Sequence, residues 1–314
     1  MKVLIADKFP EKYIQQLKDN SLDVIYEPKL GENDIPNHIK GADFLVVRST
    51  VVNAKTINDS DNLKVIIRAG SGYNTIDVKT ASSKNVWVAN CPGKNAIAVA
   101  ELALGLMVAL DRRIADNVAD FRNSVWNKAE YSKADGLFGK TLAVIGVGNI
   151  GKEVATRAKA FGLKVYGYDI IKLEGVDLEY RDDLEKLISE ADIITLHLPA
   201  NDKTKGMFNK NMFDLMKPGT IFINTSRPQV VDENALINAV NNKKIKAGLD
   251  VFIDEPEGKD GTVKSKLQVP KNIYITHHIG ASTEQAQDAV AEETVKIITT
   301  FADKGEVIHC VNKK

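Results

Sequence analysis

Thr141-Leu-Ala-Val-Ile145-Gly146-Val-Gly148-Asn149-Ile150-Gly151-Lys152 decides the architecture of this chain. A β-rich apolar run enters a Gly-x-Gly-x-x-Gly turn, and a helical pattern follows from Lys152 to Phe161. The first glycine permits the tight turn, the second lets backbone approach a pyrophosphate, and the third lets helix and strand pack closely. The helix N-terminus then offers amide donors and a partial positive charge to phosphates. The next β-rich run ends at Asp169, near the ~20-residue spacing expected of a ribose-binding acid. A carboxylate there accepts ribose hydroxyls and repels a 2′-phosphate. Ile170 and Ile171 follow, with no arginine to hold that phosphate, so the expected cofactor is NAD rather than NADP.

Working outward, short β-branched runs alternate with helical stretches. Strands are expected over 3–6, 23–26, 44–47, 65–67 and 86–89, and then over 142–145, 164–168, 193–196, 221–224, 247–251 and 274–276. Most are continuous apolar runs, the pattern of parallel strands covered on both faces. The class is therefore α/β, doubly wound. Two long helical stretches, 95–120 and 282–303, separate the strand sets, the second opening at Thr283 and stopping at Gly305. The expected organisation is a discontinuous outer domain, 1–97 with 285–314, around an inserted nucleotide domain, 98–284.

The chain has 314 residues, 44% hydrophobic and 27% charged, with 42 basic and 42 acidic side chains. That balance gives no support for bulk attraction to nucleic acid or an anionic membrane. No signal-peptide pattern and no membrane-length apolar run is visible, so a cytoplasmic protein is expected. The two cysteines, Cys91 and Cys310, are read as reduced thiols. No metal site is expected.

Hydride transfer between a nicotinamide and a 2-oxo acid needs a group that grips the carboxylate and polarises the carbonyl. It also needs a proton donor. An arginine suits the first role through its planar, always-charged fork. A histidine suits the second, and a neighbouring carboxylate would fix its tautomer and raise its pKa. Arg227, Glu255 and His278 each follow an apolar run. Taken singly, each also suits an ordinary surface charge or a hydrogen-bonded structural histidine. The order of the segments carries the case.

That order, Asn224-Thr-Ser-Arg227, Val231-Asp-Glu-Asn-Ala-Leu236, Ala247-Gly-Leu-Asp-Val-Phe252, Glu255-Pro256 and His278-Ile-Gly-Ala-Ser282, resembles the D-isomer-specific 2-hydroxyacid dehydrogenases over nearly the whole chain. The resemblance implies a Rossmann-type nucleotide domain inserted into a flavodoxin-like substrate domain. It implies that Arg227 binds and polarises substrate, and that Glu255 partners the acid–base His278. Around NAD it implies Gly146, Gly148, Asn149, Ile150, Gly151, Asp169, Leu198, Thr204, Thr225, Ser226, Asp250, Gly280 and Ala281. Two positions depart from the family. Pro228 stands where glycine is usual, removing an N–H and driving Arg227 toward extended backbone. His277 stands where proline is usual. Strand alternation would point His277 and His278 to opposite faces. His197 reads as a cofactor-pocket or structural residue.

Two further arginines end apolar runs, Arg48 in Val47-Arg-Ser49 and Arg68 in Ile67-Arg-Ala-Gly70-Ser71-Gly72. Two cations exceed what one carboxylate needs and suit a second anion such as a phosphate. The expected substrate set is Arg48, Ser49, Arg68, Gly70, Ser71, Gly72 and Lys128, with Gly70 and Gly72 exposing amides to the substrate. These segments, with Asn90-Cys-Pro-Gly93 and Trp126-Asn-Lys128, most resemble the branch of the family that oxidises 3-phosphoglycerate to 3-phosphohydroxypyruvate, the opening step of serine biosynthesis. That resemblance implies a homodimer through the NAD-binding domain, with Trp126 against a partner subunit. A local core role for Trp126 is the other reading. The chain ends too soon for a C-terminal regulatory domain, so no inhibition by serine through that route is expected. Alternative functions are glyoxylate or hydroxypyruvate reduction, D-lactate oxidation, or NAD sensing without catalysis.

Overall fold

The computed structural model describes residues 1–256, 261–268 and 270–312, which divide into two compact units. Unit 1 is Met1–Asn95 with Ser282–Lys314, and unit 2 is Ala96–Ala281.

Unit 1 carries β1 (Lys2–Ile5), β2 (Asp23–Tyr26), β3 (Phe44–Val47), β4 (Val65–Arg68) and β5 (Trp87–Asn90). Its helices α1 (Glu11–Asp19), α2 (Ile35–His38), α3 (Ala54–Asp59) and α4 (Val78–Ser83) connect them. The strands form one parallel sheet ordered β2-β1-β3-β4-β5, the flavodoxin-like winding. Alternate residues of one strand enter different cores. Val3, Ile5, Phe44 and Val46 face one cluster, whereas Leu4, Leu45, Val47 and Ile66 face another. Burial on both faces explains why these strands read as unbroken apolar runs.

Unit 2 opens with α5 (Ala96–Arg112), α6 (Ile114–Arg122) and α7 (Lys128–Tyr131). Then come β6 (Thr141–Ile145), α8 (Asn149–Ala160), β7 (Lys164–Tyr168), β8 (Glu179–Tyr180), α9 (Leu184–Glu190), β9 (Ile193–Leu196) and α10 (Lys210–Leu215). They are followed by β10 (Ile221–Asn224), α11 (Glu233–Lys243), β11 (Lys246–Leu249) and β12 (Ile273–Ile275). Its sheet runs β12-β11-β10-β9-β6-β7-β8, all parallel. Counted from β6, this is the Rossmann order with one strand added. The order reverses between β6 and β9, where such sheets bind ligands beyond their carboxyl ends.

The long helix expected over 95–120 is two helices, because Arg113 between α5 and α6 is left-handed (φ 51°). Its guanidinium is anchored to Asp116 at 3.2 Å and Glu130 at 2.6 Å, offsetting the strain of that conformation. The two-residue β8 escaped the sequence reading because nothing distinguishes so short an edge strand from a loop. In unit 1, α12 (Glu284–Lys304) is capped by the Thr283 hydroxyl, which accepts from the Ala286 amide, and ends at left-handed Gly305. Cys91 and Cys310 are both free thiols. Among the described residues no helix is long and apolar enough to cross a membrane.

Candidate active site

Three neighbouring strands of unit 2 deliver the expected catalytic side chains. Arg227 follows β10, Glu255 follows β11 and His278 follows β12, all beyond the carboxyl ends of adjacent parallel strands. The Glu255 Oε2 accepts from His278 Nδ1 at 2.7 Å, and its Oε1 accepts from the Phe252 amide at 2.9 Å. An ionised carboxylate only accepts, so the proton on this side of the ring sits on Nδ1 and Nε2 is left as the second ring position. The Glu255 hydrogen bond raises the His278 pKa above its ordinary value. Burial opposes the rise, the Glu255 and Asp250 charges add to it, and the Arg227 charge subtracts.

His278 is held by an unusual backbone. It sits past the end of β12 in the left-handed region (φ 51°), so strand alternation does not govern where His277 and His278 point, contrary to the sequence expectation. Asp250, 1% exposed, secures this turn. Its Oδ1 accepts from the Thr276 hydroxyl at 2.5 Å and the Ile279 amide at 2.9 Å, and its Oδ2 from the Gly280 amide at 2.8 Å. Both Asp250 oxygens are thus engaged by protein donors. A Cβ on Gly280 would stand 3.0 Å from Asp250 Oδ2, which is why the smallest residue sits there. Ala281, half-buried, closes unit 2.

Arg227 is extended (φ −145°, ψ 136°), as Pro228 demands of its predecessor, and Pro228 itself opens a 3-10 turn. The turn needs no N–H at its first position, so proline is tolerated. Asn224, buried and missed by the sequence reading, organises the loop. Its Oδ1 accepts from the Ser226 amide (3.0 Å) and hydroxyl (2.8 Å), and its Nδ2 donates to the Arg227 carbonyl at 3.0 Å. Arg227 Nη1 donates to the Ser226 carbonyl at 2.7 Å. Burial pushes the Arg227 pKa down and the Glu255 charge partly restores it, so the guanidinium remains cationic beside a carboxylate it does not contact in a salt bridge. The signal that could have found Asn224 was its spacing: Asn-x-Ser at a strand end is Asx-turn chemistry.

The glycine turn fits a dinucleotide. A Cβ on Gly146 (φ 90°) would meet the His197 carbonyl at 2.5 Å, and one on Gly151 would meet the Gly146 carbonyl at 2.1 Å. Those two glycines serve the fold. A Cβ on Gly148 would meet nothing within 4 Å, so its smallness keeps space open above the turn. No side chain caps α8, leaving the amides around Asn149 and Ile150 available to phosphate. The Asp169 Oδ2 accepts from the Val147 amide at 2.6 Å, and Oδ1 from the Ile171 amide at 3.2 Å, tying the acid to the turn. Leu198 packs toward Gly146. Thr225 Oγ1 and His197 Nδ1, past the ends of paired β10 and β9, are buried polar atoms without a hydrogen-bond partner among the described residues, which fits a place where cofactor polar atoms would bind. His197 is neutral, its pKa pushed down to about 3 by burial. The Thr204 hydroxyl instead builds the turn after β9, donating to the Pro199 carbonyl at 2.5 Å and accepting from the Asn201 amide at 3.0 Å.

The family model that matches residues 104–280 is that of the D-isomer specific 2-hydroxyacid dehydrogenase, NAD binding domain. The chain belongs to the D-isomer specific 2-hydroxyacid dehydrogenase family. The cofactor of this NAD-binding domain is NAD. The chain is 41% identical over 308 residues to a D-3-phosphoglycerate dehydrogenase of Methanocaldococcus jannaschii, covering 95% of this chain and 57% of that protein. It is equally 41% identical over 300 residues to a hydroxypyruvate reductase of Thermotoga maritima, covering 95% and 97%. Among solved structures, the NAD+-bound 3-phosphoglycerate dehydrogenase of Entamoeba histolytica superposes with a TM-score of 0.83 at 28% identity, covering 100% of this chain and 99% of that one. The chain therefore spans little more than half the length of one dehydrogenase relative and nearly all of a reductase relative.

The expected substrate residues of this family member fall mostly in unit 1. Arg48 follows β3 and Arg68 ends β4, at the carboxyl ends of paired strands. Asp7, after β1, was missed. Its Oδ2 accepts from three consecutive amides, Arg48 (2.7 Å), Ser49 (3.0 Å) and Thr50 (3.0 Å). The Ser49 hydroxyl adds a 3.4 Å bond to Oδ1, and Arg48 Nη1 reaches Gln287 Oε1 at 3.3 Å. An acid directly after an apolar strand run was the available signal. Gly70 departs from expectation: its amide donates to the Arg68 carbonyl at 2.7 Å and so is not presented outward. A Cβ there would stand 1.5 Å from Arg68 Nη1, so Gly70 makes room for the guanidinium. The Ser71 hydroxyl donates to Asn95 Oδ1 at 2.7 Å, and Gly72 is half-buried beside it. Lys128 opens α7 in unit 2, on the exposed surface. The core reading of Trp126 is overturned, since its side chain is 79% exposed.

Proposed function

We propose that this protein interconverts a D-2-hydroxy acid and its 2-oxo acid with NAD, and that the pair is 3-phosphoglycerate and 3-phosphohydroxypyruvate. The observation that carries the reaction class is the 2.7 Å contact between Glu255 and His278, with half-buried Arg227, at the ends of three neighbouring strands. Arg227 grips the substrate carboxylate and polarises the C2 carbonyl. His278 gives its Nε2 proton to the C2 oxygen in reduction and takes it back in oxidation. Glu255 stabilises the imidazolium that exists between those steps. Gly148, the first amides of α8, Asp169 and Thr225 hold the cofactor. When bound, NAD supplies the hydride acceptor or donor for C2.

Arg48 and Arg68, at paired strand ends, support a substrate with a second anion, and we assign the phosphate to them. The M. jannaschii relative's name agrees with that assignment. A second reading, reduction of hydroxypyruvate or glyoxylate, is favoured by the reductase relative that this chain matches along 97% of its length. Steady-state assays with NADH and phosphohydroxypyruvate, hydroxypyruvate, glyoxylate or pyruvate decide between them. Arg48→Ala and Arg68→Ala are expected to lower kcat/KM for the phosphorylated acid by about 10²-fold or more, with little effect on glyoxylate. Equal losses on both substrates would favour the reductase. NADH binding without turnover on any 2-oxo acid would leave an NAD-sensing protein.

The partner is a second copy of the chain. Helix α6 has no buried residue, and Ile114, Val118, Phe121, Val125 and Trp126 form an exposed apolar stretch on and after it. Such a face suits self-association. Trp126→Ala is expected to shift the protein to monomer in light scattering, and an unchanged dimer would remove this assignment.

A further inference from the structure

The turn that carries Glu255 is gripped twice. Consecutive amides Phe252 and Ile253 each donate to a carboxylate, but the carboxylates come from different elements. Phe252 donates to Glu255 Oε1 at 2.9 Å, within the turn, and Ile253 donates to Glu233 Oε1 at 2.7 Å. Glu233 is the first residue of α11, whose N-cap is Asp232, and it follows the Arg227 loop by a single 3-10 turn. One short segment therefore connects the arginine loop to the glutamate loop through a side chain.

The geometry points to Glu233 as a positioning residue: its carboxylate fixes the Phe252–Glu255 turn so that Glu255 meets His278 in register. This rests on Glu255 and His278 being the acid–base pair. A turn held only by its own Glu255 would be free to pivot, because that bond moves with the turn. The Glu233 bond does not, since α11 is anchored through Ala235, Leu236, Ala239 and Val240 in the core. Burial pushes the Glu233 carboxyl up, the Ile253 amide draws it down, and the charges of Asp254 and Glu255 push it up again. The groups charged around the pair are thus Glu233, Asp254, Glu255, Asp250 and Arg227. An acid kept in such company serves better as a hydrogen-bond anchor than as an added charge.

The test compares Glu233→Gln, Glu233→Asp and Glu233→Ala in the full chain, with Glu255→Gln as a control. Glu233→Gln keeps an oxygen at the same reach and is expected to retain kcat within about 2-fold. Glu233→Asp keeps the charge but falls short by a methylene and is expected to behave like Glu233→Ala. Both should lose about 10-fold in kcat, inside the ~10²-fold that a 1 Å misplacement can cost, with NADH affinity unchanged. In the chain without substrate, the NMR titration midpoint of His278 should fall in Glu233→Ala and Glu233→Asp and stay in Glu233→Gln. Wild-type kcat and titration in Glu233→Ala would overturn the assignment, as would a Glu233→Gln variant as impaired as Glu233→Ala. If Glu255→Gln itself failed to lower the His278 midpoint, the acid–base reading would fall rather than the role of Glu233.

Discussion

The carboxylate of Glu255 joins His278 Nδ1 across 2.7 Å, although 23 residues separate the two in the chain. The pair forms because β11 and β12 are hydrogen-bonded neighbours, so the loops that leave them must rise side by side.

A pH dependence follows from this pair. The hydrogen bond to Glu255 raises the His278 pKa, against burial and the Arg227 charge. The acid needed for reduction therefore persists above the ordinary histidine value of about 6.5. Reduction of the 2-oxo acid should decline as pH rises through the elevated pKa, and oxidation should climb over the same interval. In Glu255→Gln both limbs should move to lower pH, and His278→Asn should lower kcat by about 10²–10⁴-fold. Profiles of kcat/KM against pH in both directions check this, and an unmoved limb in Glu255→Gln would contradict it.

The glycine turn separates fold from binding. Gly151→Ala drives a Cβ to 2.1 Å from the Gly146 carbonyl and should destabilise the protein by at least about 1–3 kcal/mol, seen as a lower Tm. Gly148→Ala meets nothing within 4 Å and should leave Tm nearly unchanged. It should nevertheless weaken NADH binding about 10-fold or more, roughly 1.4 kcal/mol, because the added methyl occupies the space a pyrophosphate needs. Calorimetric titration with NADH beside thermal melts tests the contrast. Equal affinity in wild type and Gly148→Ala would move the pyrophosphate elsewhere.

Asp7 organises the loop that presents Arg48. Removing its carboxylate in Asp7→Ala leaves three amides without their acceptor and should cost about 1–3 kcal/mol of stability. The KM for phosphohydroxypyruvate should rise while NADH affinity holds. Asp7→Asn, which keeps one acceptor oxygen, should be milder in both respects. A Michaelis constant insensitive to Asp7→Ala would detach this loop from substrate binding.

Glu293, 4% exposed, pairs with Lys94 at 2.8 Å and His309 at 2.8 Å within unit 1. Burial pushes its pKa up, but the hydrogen bonds from Lys94 and His309 together with the charges of Lys94 and Lys296 leave it lowered. A depressed folded pKa stabilises above the unfolded value of about 4.3 and loses that contribution as pH falls through the folded pKa. Glu293→Gln should lower stability at neutral pH by about 1–3 kcal/mol and flatten the acid limb of a Tm-against-pH curve. A parallel curve for the variant would count against it.

The trio proposed for catalysis was legible because its residue types and their order along the chain are specific. The supports were not. Asn224, Glu233 and Asp7 are ordinary polar residues in sequence; Glu233 and Asp7 act by holding backbone amides of another segment, and Asn224 by closing its own loop. Gly70 was misread for the same reason: its neighbour in space, the Arg68 guanidinium, cannot be deduced from the order of residues. The left-handed backbone at His278 and Arg113 was equally hidden, since it is uncommon in any residue but glycine and nothing local in the sequence marks it.

By itself the sequence determined the parallel α/β class and the glycine turn with its acid, and it singled out the three side chains proposed here for the chemistry. Apolar periodicity and glycine placement are local, so they survive in one dimension. Only the tertiary structure decided which strands lie adjacent, and hence that the loops bearing Arg227, Glu255 and His278 leave neighbouring strands. Strand order is set by packing among distant segments, and hydrogen bonds such as those to Asp250 exist only after that packing has formed.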